Sequence, residues 1–234
     1  MSLSGKRIVI TGGATGIGLA TTRLAVERGA QVVITGRTEA TLKAAAESVG
    51  PGVEYRVLDV TDPEAVERVL AAVGPFDHLV TGAAEIVAGP FVELPEADAR
   101  SLFETKFWGQ YRAAKAAVAH IAPDGSILFF SGYLYRKAEA GFSGFAAVNG
   151  AVEGLVKALA IELAPLRVNA ISPGQIDVFE GRWDAESHAK YRADVSAALP
   201  AGRPGTPEEA AHAVLYLLEN TFTTGTTLDV DGGK

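Results

Sequence analysis

The chain has 234 residues, a hydrophobic fraction of 48% and a formal net charge of −7 at pH 7. Its length indicates one α/β domain with an ample core, although two small domains would also fit. The acidic balance argues against a nucleic-acid partner, because a protein that binds phosphate backbones needs a basic face.

The cysteine and histidine content and the lengths of the apolar runs argue against further classes of protein and of site. There is no cysteine, which excludes disulfides and thiolate metal sites and fits a cytoplasmic protein. No apolar run reaches the ~20 residues that span a bilayer, and the N-terminus lacks a signal-peptide pattern, so no membrane association is predicted. A metal centre is not predicted either, because the histidines are few and scattered: His78, His120, His188 and His212.

Strand-like and helical patterns alternate along the whole chain. The predicted strands are residues 7–10, 31–35, 54–58, 78–81, 126–130, 167–171 and 227–230. The predicted helices are residues 16–28, 39–48, 63–72, 96–122, 145–164 and 207–219. This order predicts a doubly wound parallel sheet with helices on both faces, in a single domain spanning 1–234.

A glycine-rich turn joins the first strand to the first helix, with the spacing Thr-Gly-x-x-x-Gly-x-Gly. Glycine lets the backbone turn tightly and approach a ligand, and the first N–H groups of the helix would face an anion. An ordinary strand-to-helix turn is the alternative. The pattern predicts a pyrophosphate site made by Thr11, Gly12, Thr15, Gly16, Ile17 and Gly18.

The ends of the second and third strands carry the next candidate cofactor residues. Gly36, Arg37 and Thr38 stand where an acidic residue would bind a ribose diol. Gly36 leaves room for a 2′-phosphate and the Arg37 guanidinium suits it, which favours NADP(H) over NAD(H). A solvated turn cation is the alternative for Arg37. Asp59, followed by Val60, could accept a hydrogen bond from adenine or act as a turn acid.

Residues 175–204 interrupt the alternation of strands and helices. This segment is long, mixed in charge and rich in aromatic residues, among them Phe179, Trp183 and Tyr191. A lid over a substrate site is the interpretation we favour, with a moderately apolar pocket beneath it; a surface excursion is the alternative.

At this point the chain resembles the short-chain dehydrogenase/reductase family over essentially its full length. The matching pieces are residues 11–18, 59–60, 167–174 and 225–233. The resemblance implies a Rossmann fold with seven strands, a nicotinamide cofactor, and homodimers or homotetramers built partly on the long fourth and fifth helices. The apolar stripe on the fifth predicted helix could serve the core or a subunit contact: Val152, Leu155, Val156, Leu159 and Leu163.

The family carries its acid/base chemistry on Tyr-x-x-x-Lys, an upstream serine and an asparagine in the fourth helix. In this chain the corresponding positions are Phe145 and Asn149, Gly132, and Lys106. Phenylalanine and glycine have no exchangeable side-chain proton, and asparagine has no charge. The resemblance therefore implies that the usual proton relay is absent.

Other family positions are also changed or only partly kept. The family's Asn-Asn-Ala-Gly after the fourth strand is Thr81-Gly82-Ala83-Ala84, which removes amides from the floor of the site. Val178 replaces a frequent threonine. The positions carried over as cofactor contacts are Ala83, Asn149, Pro173, Gly174 and Ile176.

Lysine and asparagine have exchanged places, which suggests a relocated catalytic set. We hypothesise that Lys106 supplies the positive charge and that Tyr133 or Tyr135 supplies the proton. The alternatives are a solvated helix cation for Lys106 and packing against the lid for either tyrosine.

Two functions from different classes remain open. The first is an NADP(H)-dependent oxidoreductase with a non-standard catalytic set, acting on an unidentified carbonyl or alcohol. The second is a catalytically inactive NADP(H)-binding protein, either a sensor or a structural subunit. Non-redox chemistry on the same scaffold is a third possibility.

Overall fold

A computed structural model describes residues 3–179 and 183–234, and it contains one parallel seven-stranded sheet. Every neighbouring pair of strands is parallel, in the order β3-β2-β1-β4-β5-β6-β7. The α/β fold predicted from the alternating patterns is therefore confirmed. The strands are β1 Arg7–Thr11, β2 Gln31–Gly36, β3 Val53–Val57, β4 Phe76–Thr81, β5 Ile121–Phe130, β6 Arg167–Pro173 and β7 Thr227–Val230.

Eight α-helices lie among the described residues and cover both faces of the sheet. One apolar cluster packs α3, α5 and α6 against one face, and a second packs α1, α2 and α8 against the other. The helices are α1 Gly16–Glu27, α2 Glu39–Val49, α3 Pro63–Val73, α4 Glu96–Phe103, α5 Gly109–Ala117, α6 Ser143–Glu162, α7 Ala185–Ala198 and α8 Pro207–Glu219.

The predicted helix over 96–122 is wrong in two respects. A π-helical turn, Glu104–Trp108, separates α4 from α5, and the helix ends at Ala117. The chain then turns through a hydrogen bond from the His120 amide to the Ala117 carbonyl. Ile121 opens β5 instead of closing the helix, because the proline two residues later has no N–H for a helical hydrogen bond.

The apolar stripe on α6 packs against the core of its own chain. Val152 and Val156 are fully buried, and Leu155, Leu159 and Leu163 pack partly buried against the same cluster. Among the described helices, α6 alone is long and apolar enough to cross a membrane by length and composition. The predicted homodimer or homotetramer stays a prediction.

Candidate active site

A cleft of about 530 Å³ opens at the C-terminal ends of the strands, where the strand order reverses between β1 and β4. Ligands of doubly wound sheets bind at this switch point. Eleven of the sixteen predicted cofactor residues line it: Gly12, Thr15, Gly16, Ile17, Gly18, Gly36, Arg37, Thr38, Asp59, Val60 and Ala83.

The glycine turn forms the floor of this cleft because two backbones meet there at close range. Gly12 has a φ of +73°, and a Cβ on it would lie 2.9 Å from the Ala83 backbone nitrogen. A Cβ on Gly18 would lie 2.1 Å from the Gly12 carbonyl oxygen. Only residues without a side chain fit at these two positions, so the turn presents bare backbone to the cleft.

The N-terminus of α1 is prepared for an anion. Its first turn holds no acidic residue, and the side chain of its N-cap residue, Thr15, makes no capping hydrogen bond. The helix dipole and the unpaired N–H groups therefore act without a neighbouring carboxylate. This arrangement matches the chemistry of a pyrophosphate.

At the far end of the cleft, Arg37 is exposed and Asp59 is engaged in a turn. One Asp59 carboxylate oxygen accepts hydrogen bonds from the Thr61 amide at 2.9 Å and the Thr61 hydroxyl at 2.8 Å. The pKa of Asp59 is lowered, chiefly by the hydrogen bond from the Thr61 amide. The Thr61 hydroxyl and the charge of Arg37 also lower it, whereas burial acts in the opposite direction. Asp59 thus serves as a turn acid while it also lines the cleft.

Five predicted cofactor residues do not line the cleft. Thr11 is buried in β1, and Asn149 is buried in α6. Pro173 is the last residue of β6 and Gly174 follows it beside β7, where the Gly174 amide donates to the Val230 carbonyl at 2.9 Å. Ile176 is buried and forms a bridge with Gly205. Cleft residues that the sequence reading missed include Thr35, Thr41, Ile86, Thr105 and Phe130.

Lys106 lies in the π-helical turn with only 6% of its surface exposed. Its Nζ donates a hydrogen bond to the Ser131 carbonyl at 3.0 Å. Burial is the cause that lowers the pKa of Lys106 to about 8. The side chain is therefore a buried amine and not a solvated helix cation, and π-helical turns are frequent at functional sites.

Asn149 approaches the same loop from α6. Its Nδ2 donates to the Gly132 carbonyl at 3.1 Å, and a Cβ on Gly132 would lie 2.9 Å from that nitrogen. Its Oδ1 is buried and has no hydrogen-bond partner among the described residues. Lys106 and Asn149 thus bind adjacent carbonyls, those of Ser131 and Gly132, as expected for two helices that face one another.

The two candidate proton donors, Tyr133 and Tyr135, make no hydrogen bond to Lys106 among the described residues. The Tyr133 hydroxyl donates to a Glu139 carboxylate oxygen at 3.3 Å and accepts from the Gln175 amide at 3.5 Å. Burial, followed by the charge of Glu139, raises the pKa of Tyr133 to about 12. Tyr135 is 52% exposed, and its ring lies over Gly150.

Gln110 is the residue in this region that the sequence reading overlooked. Its Oε1 accepts from the Thr81 hydroxyl at 2.6 Å and from the Phe130 amide at 2.8 Å. Its Nε2 donates to the Lys106 carbonyl at 2.6 Å and the Phe130 carbonyl at 3.1 Å. The sequence feature that could have identified Gln110 is its position four residues after Lys106, because residues at this spacing lie on the same side of a helix.

Residues 175–204 hold α7 and an aromatic cluster, although 180–182 lie outside the described residues. The Phe179 and Trp183 rings stack at 4.0 Å, and Tyr191 contacts both edge-on. His188 of α7 binds the Asp177 carboxylate at 2.8 Å. These contacts tie α7 to the loop after β6.

Comparisons with known proteins agree with this architecture. A family model described as enoyl-(acyl carrier protein) reductase matches residues 12–234. L-xylulose reductase from Mesocricetus auratus is 36% identical over 247 residues, covering 100% of this chain and 98% of that protein. A 3-oxoacyl-(acyl-carrier-protein) reductase from Vibrio cholerae is 32% identical over 243 residues, with the same coverage.

Solved structures extend the likeness. A short-chain type dehydrogenase/reductase from Mycobacterium ulcerans superposes with a TM-score of 0.92 at 27% identity, covering 100% of this chain and 90% of that one. A small-chain dehydrogenase in complex with NADPH has a TM-score of 0.80 at 33% identity, covering 97% of both chains.

Proposed function

Because this chain belongs to the short-chain dehydrogenase/reductase family of oxidoreductases, we propose that it transfers a hydride between NADP(H) and a carbonyl or alcohol substrate. The observation that carries the proposal is the pairing of an open dinucleotide cleft with a buried amine. The cleft holds the glycine turn and Arg37, and Lys106 lies behind Ser131 at the C-terminal end of β5.

The residues of the cleft fit NADP(H). The bare backbone at Gly12 and Gly18 and the uncapped start of α1 would hold the pyrophosphate. Arg37 would bind a 2′-phosphate through its guanidinium, next to Gly36, which contributes no side chain. When bound, the cofactor supplies the hydride, so the protein has to hold the substrate and move one proton.

Of Lys106 and Tyr133, Lys106 is the proton donor that the pKa values favour, and its Nζ lies at the Ser131 carbonyl, next to the cleft residue Phe130. A general acid works best when its pKa lies near the operating pH, and Lys106 at about 8 meets this condition. Tyr133, at about 12, is the weaker candidate because its hydroxyl already binds Glu139. In reduction the ammonium would give one proton to the carbonyl oxygen, and solvent would then reprotonate the amine.

A catalytically inactive NADP(H)-binding protein, a sensor or a structural subunit, is the second candidate. The observation that favours it is the side chain at the family's tyrosine position, Phe145, which has no exchangeable proton. Such a protein would bind NADP(H) in the same cleft without catalysing a reaction.

One pair of measurements separates the two candidates. NADPH fluorescence is titrated with the protein, and the absorbance of NADPH is then followed with a panel of aldehydes and ketones. We expect both binding and turnover. Binding without turnover on any carbonyl would favour the inactive protein, and no binding of either NADPH or NADH would contradict both.

Changing Arg37 to alanine tests the choice of cofactor. We expect the Kd for NADPH to rise about 10- to 100-fold, because a hydrogen bond to a charged group contributes about 1.5–3 kcal/mol. The Kd for NADH should stay near its original value, since NADH has no 2′-phosphate. Calorimetric titration of both dinucleotides gives the two constants.

Arg68→Ala is the matched control for that experiment. Arg68 is exposed on α3 outside the cleft, and its loss changes the net charge of the protein by the same amount. Equal weakening of NADPH binding in both variants would assign the effect to net charge instead of to a phosphate contact.

A further inference from the structure

Gln110 stands at the junction of three elements that build the reacting end of the cleft. It is buried in the first turn of α5, directly after the π-helical turn Glu104–Trp108. Its side-chain amide makes four hydrogen bonds, two as acceptor and two as donor. All the hydrogen-bonding capacity of this amide is therefore used inside the protein.

The bonds to Phe130 imitate the pairing of a strand. The Phe130 amide donates to Oε1 at 2.8 Å and Nε2 donates to the Phe130 carbonyl at 3.1 Å, so the amide pairs with both backbone groups of the last residue of β5. The neighbouring strand β4 has already ended at Thr81, whose hydroxyl donates to the same Oε1. Gln110 thus extends the sheet by one position beside the cleft.

The bond to Lys106 links this sheet edge to the buried amine. Nε2 donates to the Lys106 carbonyl at 2.6 Å, while Lys106 Nζ donates to the carbonyl of Ser131, the residue after Phe130. Lys106, Gln110, Phe130 and Ser131 therefore form a closed ring of covalent and hydrogen bonds. A helical turn held at its backbone and at its side chain has little freedom to rearrange.

We infer that Gln110 is a positioning residue, which fixes the π-helical turn and thereby holds Lys106 Nζ at the Ser131 carbonyl. The inference rests on the proposed function only in so far as Lys106 moves a proton. Through the same amide, α5 also braces the ends of β4 and β5, because Gln110 accepts hydrogen bonds from Thr81 and Phe130.

The carboxylates nearest to Lys106 are paired with arginines, so burial is what determines the pKa of Lys106. Glu153 of α6 accepts a hydrogen bond from the Ser131 hydroxyl at 2.9 Å, and its other oxygen binds Arg136 at 2.6 Å. Glu104, in the same turn as Lys106, pairs with Arg112. Both carboxylates are thus committed to arginines, and a displacement of Lys106 toward water should raise its pKa.

The test compares Gln110→Met and Gln110→Leu with the unmodified chain. Both side chains are uncharged and lose all four hydrogen bonds, and methionine keeps the length of the glutamine. We expect the Lys106 titration midpoint, followed by NMR of ¹³C-labelled lysine and assigned with Lys106→Met, to rise in both variants. We also expect kcat to fall about 100-fold, as for a misplacement of ~1 Å, with the Kd for NADPH unchanged.

Two controls separate positioning from general destabilisation. Thr81→Val removes the hydroxyl that donates to Gln110 Oε1 and keeps the bond from Gln110 to the Lys106 carbonyl. Ser126→Ala removes the buried hydrogen bond to His78, far from the π-helical turn in sequence. Neither should move the Lys106 titration. If Gln110→Leu does not fold, Gln110→Met decides the question.

The outcomes distinguish this inference from the proposed function. A folded Gln110 variant with an unchanged Lys106 titration would overturn the positioning role, whatever the activity. A moved titration in a protein that turns over no carbonyl would support the positioning role and reject the proposed enzyme.

Discussion

Lys106→Met is expected to lower kcat about 100- to 10,000-fold, the range typical for the loss of a general acid. Methionine is similar in length to the lysine side chain and has no exchangeable proton. NADPH binding should persist, because Lys106 does not line the cleft. Steady-state kinetics with the best substrate of the carbonyl panel, together with the NADPH titration, check both parts.

The direction of the pH dependence follows from the same group. Reduction needs the protonated amine, so its rate should fall above about pH 8, and alcohol oxidation, which needs the neutral amine, should rise there. The folded pKa lies below the ordinary value of 10.5, so the unfolded state binds more protons between pH 8 and 10.5. The free energy of unfolding should therefore increase over this window, and Lys106→Met should abolish the increase.

Tyr133→Phe is the companion variant for this experiment. It removes the hydroxyl that binds Glu139 and leaves the ring in place. We expect a much smaller loss of turnover than with Lys106→Met. Unchanged turnover in both variants would reject the relocated catalytic set, and a larger loss in Tyr133→Phe would make the tyrosine the proton donor.

Gly18→Ala is expected to remove detectable NADPH binding and to lower the free energy of unfolding by about 3 kcal/mol. The added methyl group would lie 2.1 Å from the Gly12 carbonyl oxygen, so α1 and the glycine turn must separate. The turn would then no longer present its backbone to a pyrophosphate. Urea unfolding followed by circular dichroism and NADPH fluorescence measure the two effects.

Gly154→Ala is the control for that substitution. Gly154 lies within α6, and a Cβ on it meets nothing within 4 Å. Alanine there should stabilise the protein by about 0.5–1 kcal/mol, since glycine disfavours a helix interior. NADPH binding equal to that of the unmodified chain in both variants would show that close approach of the two backbones is unnecessary for the cleft.

The fold and the cofactor cleft are readable in the sequence because short-range patterns specify them. The β-branched run of β1, the glycine turn and Asp62-Pro63 at the start of α3 each predict a local conformation, and alternation of the elements predicts the parallel sheet. Eleven cleft residues follow from two such turns and the strand ends. Gly18 is an example, since its neighbours in sequence already require a close approach.

The reacting end was less predictable because long-range contacts determine it. Residues 104–108 contain no glycine or proline that would interrupt a helix, yet the chain forms a π-helical turn there, held by Gln110 against β5. The burial of Lys106 depends on the same packing, and a lysine in sequence carries no sign of it. The sequence likewise gives no sign that the Tyr133 hydroxyl, a candidate proton donor, is hydrogen-bonded to Glu139 and Gln175.

The contact between Gly132 and Asn149 limits which side chains position 132 can accept. A serine introduced at 132 would push the Asn149 amide away from the Gly132 carbonyl, since its Cβ would lie 2.9 Å from Nδ2. Any side chain at position 132 therefore competes with this hydrogen bond, so a redesign of the loop has to treat positions 132 and 149 as one unit.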